Sequence, residues 1–300
     1  MRSIAKRKKA ISSDDIFNAV LVGIVIIWLI IVLYPLIYIV SCSFSSGQAV
    51  TTGRVLLWPV EPGIEGYKIV FSYKAVWRGY ANTIYYTVLA SLLGVTITIL
   101  MAYPLSRKDY TMRSTIMTLL VITMFFGGGL IPTYILVSGL GLTNTRAAMI
   151  ILGLLSTHNV IVMRTFFQNS IPRDLLEAAK LDGISDFGYL MKVVIPLSKP
   201  VISVIMLYCV VGKWNAYFGP LIYLRDRELY PLQLILREIL SATKVESTQI
   251  ADSQLLAQLS SQVDAMKYSL VVVATVPMLV LYPFVQKFFE KGVMIGSLKG

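Results

Sequence analysis

The sequence predicts an all-α protein, a polytopic membrane bundle of about six transmembrane helices. Hydrophobic residues occupy 56% of the 300 positions and charged residues 14%, and the mean hydropathy is +0.72, outside the range of ordinary soluble domains. A crossing helix needs roughly 20 apolar residues. Stretches of about that length are residues 20–40, 84–105, 115–137, 147–167, 201–222 and 268–288. The alternating pattern of a transmembrane β-barrel is absent from the sequence.

Basic residues set the orientation of these spans. They crowd residues 2–9, 107–113 and 287–299, and more of them lie in residues 168–199. The positive-inside rule places all four segments, and so both termini, in the cytoplasm. The net charge of +11 is explained by these short loops. They lack interleaved aromatic residues, so we expect no nucleic-acid partner.

The loops outside the membrane are predicted at residues 41–81 and 224–267. The first is rich in turn-forming glycine and proline, and the second should contain a helix near residues 250–259. Residues 39–42 (IVSC) loosely resemble a lipoprotein cleavage box, but the apolar run before them is too long and further spans follow. Cys42 and Cys209 are far apart, which favours two free thiols. We find no internal repeat, so residues 1–300 are predicted to form one transmembrane domain.

Catalytic motifs are missing from the sequence. The one histidine, His158, excludes a metal site with two histidines, and neither a phosphate-binding loop nor a nucleophile elbow occurs. We therefore expect no catalytic residues and no metal site, and the chain should not hydrolyse ATP itself.

Residues 168–199 predict a helix-turn-helix. Ser170 and Pro172 can start the first helix, and Gly183 can end it in a left-handed conformation. Ser185 can cap a second helix with an apolar stripe that ends at Pro196. The members of that stripe are Phe187, Leu190, Met191, Val194 and Ile195. Such a unit would present Ala178 and Ala179 beside Glu177 to a soluble partner, or it would simply pack its stripe on its own bundle.

The spacing of this segment resembles a known pattern. Glu177-Ala178-Ala179, Gly183, and then Val193, Ile195 and Pro196 match the cytoplasmic EAA loop of permease subunits of ATP-binding-cassette importers. Residues 177–183 (EAAKLDG), 195–200 (IPLSKP), 214–221 (WNAYFGPL) and 291–300 (KGVMIGSLKG) are similar to the carbohydrate branch. Residues 125–134 (FFGGGLIPTY) and 227–233 (RELYPLQ) are similar to its subgroup for complex oligosaccharides.

The resemblance implies a type I importer permease in a bacterial cytoplasmic membrane, forming half of the path for an oligosaccharide. It implies as partners a second permease subunit, two ATP-binding-cassette ATPase subunits and an extracytoplasmic solute-binding protein. ATP and Mg would be bound by the ATPases, and this chain would bind no cofactor. Residues 168–199 would then be the coupling loop, and its ATPase-coupling residues would be Glu177, Ala178, Ala179, Asp182, Gly183 and Pro196.

The fifth span carries a candidate substrate path. A lysine inside a membrane helix should face a cavity, a partner helix or an acidic group, and aromatic and amide side chains suit sugar rings and hydroxyls. The candidates are Lys213, Trp214, Asn215, Tyr217 and Phe218, together with His158 and Asn159 in the fourth span. Interhelical packing is the alternative for each of them. Gly127–Gly129 with Pro132 are expected to break the third helix rather than to bind a ligand.

Other functions remain open at this point. A secondary transporter would use carboxylates inside the membrane, and the predicted spans contain neither Asp nor Glu. A membrane enzyme lacks its catalytic residues, and a receptor or scaffold leaves the EAA pattern unexplained. An importer permease for a peptide or an amino acid is the nearest alternative.

Overall fold

The computed structural model describes residues 13–242 and 263–283, and these residues form helices, turns and loops without a strand. The helices are α1 Ser13–Ser43, α2 Gly47–Thr51, α3 Glu65–Ser72, α4 Lys74–Ser106, α5 Arg113–Phe125, α6 Leu130–Gly139, α7 Arg146–Ile151, α8 Thr157–Ser170, α9 Arg173–Leu181, α10 Asp186–Tyr189, α11 Ile195–Leu197, α12 Lys199–Trp214, α13 Phe218–Tyr223, α14 Leu232–Ala242 and α15 Val263–Pro283. A π-helical turn, Leu190–Val194, joins α10 to α11. The basic residues at both ends and the predicted helix near 250–259 lie outside the described residues.

The described residues fall into two compact units, one of residues 13–70 with 263–272 and one of 71–242 with 273–283. In the first unit, α1 is apolar on every face and exposed along its membrane-spanning part, as expected for a helix surrounded by lipid or by other subunits. Hydroxyl groups hold the chain beyond it: Ser41 Oγ donates to Leu57 O at 2.6 Å and Ser45 Oγ to Ser41 O at 2.7 Å. Cys42 is buried there as a free thiol, and Cys209 is also free, as predicted.

Helix α4 is the central helix of the second unit and packs against α5, α7, α8, α12 and α14. Small residues permit this close packing, since a Cβ atom on Gly94 would lie 3.1 Å from Leu154 O. Polar side chains on the same helix fix the chain that precedes α14. Asn82 donates to Glu228 O at 2.7 Å, and Thr83 Oγ1 accepts a hydrogen bond from Leu232 N at 2.8 Å.

The helical membrane bundle predicted from the sequence is confirmed, although several spans are interrupted. By length and composition, α1, α4 and α15 can each cross a membrane. Two bent pairs raise the count to five if each pair is one span: α5 with α6, which bend by 112°, and residues 186–197 with α12, which bend by 82°. The first bend lies at Gly127–Gly129, where the glycine run predicted it.

The prediction of one continuous helix over residues 147–167 is wrong. Helix α7 stops at Ile151, and α8 starts at Thr157 behind the cap Ser156, whose Oγ accepts a hydrogen bond from Asn159 N. Gly153 between them has φ of +72°, a conformation that side chains resist. The predicted span 201–222 is also divided, because α12 ends at Trp214 and α13 begins at Phe218.

Candidate functional site

The first helix of residues 168–199 forms and ends as predicted, except that Ser170 does not start it but is the last residue of α8. Helix α9 follows Pro172, carries Asp174 in its first turn, and ends at Leu181 with Asp182 as its C-cap. Gly183 has φ of +71°, and its N–H donates to Lys180 O at 3.1 Å. Only glycine takes this conformation without strain, so the sharp turn depends on this residue.

The second helix begins at its predicted cap, because Ser185 Oγ accepts a hydrogen bond from Gly188 N at 3.1 Å. It does not stop at Pro196 but continues to Leu197, and a π-helical turn lies just before the proline. Proline has no N–H and clashes with the carbonyl four residues earlier in a regular α-helix, and the wider turn relieves that clash. The predicted stripe is divided: Leu190 and Val194 are buried, whereas Phe187 and Met191 are exposed.

The prediction that both alanines face a partner is wrong for Ala179. Its exposed fraction is 5%, and it belongs to the core of α4, α8 and α12. Ala178 and Glu177 are exposed on the opposite face of α9. Leu181, which the sequence prediction did not include, lies four residues after Glu177 and three after Ala178, so it shares their face, and it is 90% exposed. The face therefore combines an apolar side chain with carboxylates.

A cavity of about 1030 Å³ opens beside α9. It lies between the loop from α4 to α5, helix α8 and helix α9, and we call it the basic cavity because six cationic and two acidic side chains line it. They are Arg107, Lys108, Arg113, Arg164, Arg173 and Lys180, with Asp109 and Glu177. Apolar side chains also line it, among them Met117, Val121 and Ile122.

One arginine in this cavity joins several segments. Arg107 Nε donates to Asp109 Oδ1 at 2.9 Å, and its Nη1 donates to Tyr103 Oη at 3.0 Å and to Asp186 Oδ1. Lys180 Nζ lies 3.7 Å from the other oxygen of Asp109. Hydrogen bonding by the Arg107 guanidinium holds the pKa of Asp109 well below its usual range. This carboxylate therefore stays ionised at neutral pH.

A second cavity, of about 580 Å³, lies between α4, α8 and α12. Three candidate residues for a substrate path line it: Lys213, His158 and Asn159. Lys213 Nζ donates to Met149 O at 3.1 Å and to Leu152 O at 2.6 Å. These carbonyls end α7, so a cation there is stabilised by helix-end acceptors and by the helix dipole. We call this the Lys213 cavity.

The other four candidates do not line either cavity. Trp214 is 4% exposed, and its Nε1 donates to Ala274 O at 3.1 Å; a buried indole needs such an acceptor. Its assignment to a cargo path is therefore corrected to packing between α12, α4 and α15. Asn215 Nδ2 bonds to Val211 O of its own helix at 3.0 Å. Tyr217 lies under the Arg237 guanidinium, 5.8 Å from the ring centroid, and Phe218 is exposed.

The described residues contain no group of three or more His, Cys, Asp or Glu side chains that could hold a metal ion. Their polar groups are instead arranged for hydrogen bonding and ion pairing along two cavities and one exposed helix.

Residues 94–295 match the family model described as "Binding-protein-dependent transport system inner membrane component". The chain belongs to this family. The match includes α9, the basic cavity and all of the Lys213 cavity except Ala90, and the family is one of multi-pass membrane transport proteins. The chain is therefore a permease of a transport system.

Two relatives from Bacillus subtilis strain 168 resemble this permease over nearly their whole length. The polygalacturonan/rhamnogalacturonan transport system permease protein YtcP is 35% identical over 96% of this chain and 99% of its own. Protein LplC is 36% identical over 90% of each chain. A solved structure of a bacterial ABC transporter that imports the acidic polysaccharide alginate matches with a TM-score of 0.84 and 35% identity, over 94% of this chain and 100% of that one. The ABC importer permease fold predicted from the sequence is thereby confirmed.

Proposed function

We propose that this permease forms half of the translocation path for an oligosaccharide, delivered by an extracytoplasmic binding protein, in a bacterial cytoplasmic membrane. A second permease supplies the other half, and two ATP-binding-cassette ATPases drive the cycle. The observation that carries this proposal is the full-length similarity to the permease for polygalacturonan and rhamnogalacturonan. Both termini lie in the cytoplasm in this proposal, as the basic residues predict.

The exposed face of α9 supports docking of an ATPase. Leu181 offers an apolar anchor at the end of α9, and Glu177 and Asp182 offer carboxylates beside it. An apolar centre with a polar rim is the usual anatomy of an interface. Ala178 permits close approach, while Gly183 and Pro196 shape the turn and the bend that orient the helix. In this arrangement the ATPases bind ATP and Mg, and this chain binds no cofactor.

The Lys213 cavity supports passage of a sugar. A volume of about 580 Å³ is within the usual range for small-molecule sites. The ammonium of Lys213, the imidazole of His158 and the amide of Asn159 offer several donors and acceptors for hydroxyl groups. The same cavity would be completed by the second permease.

The basic cavity supports an anionic oligosaccharide such as one that contains uronic acids. Lys108, Arg113 and Arg173 line it without an acidic partner among the described residues. Cations that line a cleft attract anions and raise their local concentration. A carboxylated sugar leaving the Lys213 cavity would meet these side chains.

Affinity purification tests the assembly and its cargo. The tagged permease should carry an ATPase and a second permease with it, and the binding protein isolated from the same cells should retain an oligosaccharide with carboxylate groups, identified by mass spectrometry. Retention of a peptide or an amino acid would replace the sugar assignment. Recovery of the permease without any ATPase would contradict the importer itself.

A further inference from the structure

Arg107 is a largely buried arginine in the wall of the basic cavity. It follows the last residue of α4, and its side chain is only 12% exposed although two of its partners, Asp109 and Asp186, are more than half exposed. Its guanidinium bonds to both carboxylates and to the Tyr103 hydroxyl. A planar fork that makes this many charge-assisted hydrogen bonds holds its partners in one geometry.

Arg107 is connected to both helices of the coupling loop, directly to α10 through Asp186 and indirectly to α9 through Asp109 and Lys180. Asp186 is the first residue of α10, and Asp109 lies 3.7 Å from Lys180 in the last turn of α9. The Tyr103 hydroxyl also lies 3.4 Å from Asp186 O. Arg107 therefore ties the end of α4 to the two sides of the turn at Gly183.

Helix α4 is the element through which a movement at this point would reach the bundle. It packs against α5, α7, α8, α12 and α14. It also forms part of the wall of the Lys213 cavity, through Ala90. Two further bonds fasten its end to α8: Arg164 Nε donates to Leu105 O at 2.9 Å, and Gln168 Nε2 donates to Ser106 O at 3.3 Å. Packed helices transmit rigid-body shifts when their contacts are closely fitted.

We propose that Arg107 is a positioning residue that locks the coupling loop to the end of α4, so that movement of α9 is passed to the helix that lines the Lys213 cavity. The inference rests on the proposed function, since it requires an ATPase that moves α9. Without the lock, the coupling loop stays attached through its buried residues, among them Ala179, Tyr189 and Leu190. Loss of Arg107 therefore loosens transmission and leaves the fold in place.

The test measures sugar imported per ATP hydrolysed, in proteoliposomes that contain the complete importer and its binding protein. Arg107→Asp should lower this ratio about tenfold, because it places three carboxylates together. A tenfold change lies within the range of interaction energies measured between contacting residues. The double variant Arg107→Asp with Asp186→Arg restores an opposite-charge pair and should recover most of the ratio. Arg107→Lys keeps the charge but loses the fork, and it should lower the ratio about threefold.

The control is Arg78→Asp, at the other end of α4. Arg78 pairs with Glu228 at 3.0 Å and is exposed, so an ion pair of similar length is lost without touching the coupling loop. Its ratio should match the wild type, and equal losses for Arg78 and Arg107 would overturn the proposal. Failure of the double variant to recover the ratio would also overturn the proposal. A wild-type ratio for Arg107→Lys would overturn it as well, and this milder variant provides the test if Arg107→Asp fails to assemble. Failure of the wild-type importer to hydrolyse ATP or to import sugar would instead contradict the proposed function.

Discussion

Trp214 provides the sharpest test of how the fifth span is used. Its indole is buried, its N–H donates to Ala274 O, and the Tyr80 ring meets it edge-on with the ring centroids 6.0 Å apart. Trp214→Ala removes this contact area and leaves a cavity, which costs about 3–5 kcal/mol in buried sites. At about 2 °C per kcal/mol for a chain of this size, the unfolding midpoint should fall by roughly 6–10 °C.

Two milder variants separate packing from hydrogen bonding. Trp214→Phe keeps an aromatic ring and loses the N–H donor, so it should cost only about 1–3 kcal/mol. Asn215→Ala should change the free energy of unfolding by less than about 1 kcal/mol. Asn215 is exposed, and among the described contacts its side chain bonds only to its own helix.

Thermal unfolding of the purified complex, followed by size-exclusion chromatography, measures all three variants beside sugar uptake. Packing predicts that loss of uptake in Trp214→Ala follows loss of folded complex. A variant with wild-type stability and abolished uptake would place Trp214 in the cargo path and refute the reasoning.

Three further outcomes are expected. Gly183→Val should strain the turn that has φ of +71°, and pull-down of the ATPase should fall severalfold while membrane insertion persists; normal association would remove the turn from the docking surface. A cysteine at Ser46 should react with an impermeant thiol reagent in intact cells and one at Lys299 should not, and the reverse pattern would overturn the topology. Since hydrogen bonding by Arg107 lowers the pKa of Asp109, the stabilisation from this pair is complete above the ordinary aspartate pKa of about 4 and is lost only as the pH falls further through the lowered pKa. The ratio of sugar to ATP should therefore not depend on this pair between about pH 6 and 8, and a fall in that window that disappears in Asp109→Asn would contradict it.

Local signals predicted the local structure well. The cap at Ser185, the glycine turn at Gly183 and the break at Gly127–Gly129 each depend on residues adjacent in sequence. Burial of Ala179 depends instead on which face of α9 meets the core. Alanine is small enough for either side of a helix, so the sequence left that question open.

The surroundings of Lys213 could not be predicted for a related reason. Residues 152–155 are glycine and leucine and continue the apolar run, so hydropathy does not reveal where α7 ends. The carbonyls that accept from Lys213 are free only because α7 stops there. The partners of Lys213 could not be predicted because the end of α7 was not recognised. Gly153 was the sequence signal for that helix end.

The proposed function is import of an oligosaccharide by this permease and its partners at the expense of ATP. Uptake of a labelled uronic-acid oligosaccharide into proteoliposomes tests it most directly, with the second permease and the ATPases reconstituted and the binding protein added outside. We expect saturable uptake that requires both ATP and the binding protein. Uptake of a neutral oligosaccharide of equal length should be lower. Uptake driven by an ion gradient without ATP, or transport of a peptide in place of the sugar, would contradict the proposed function.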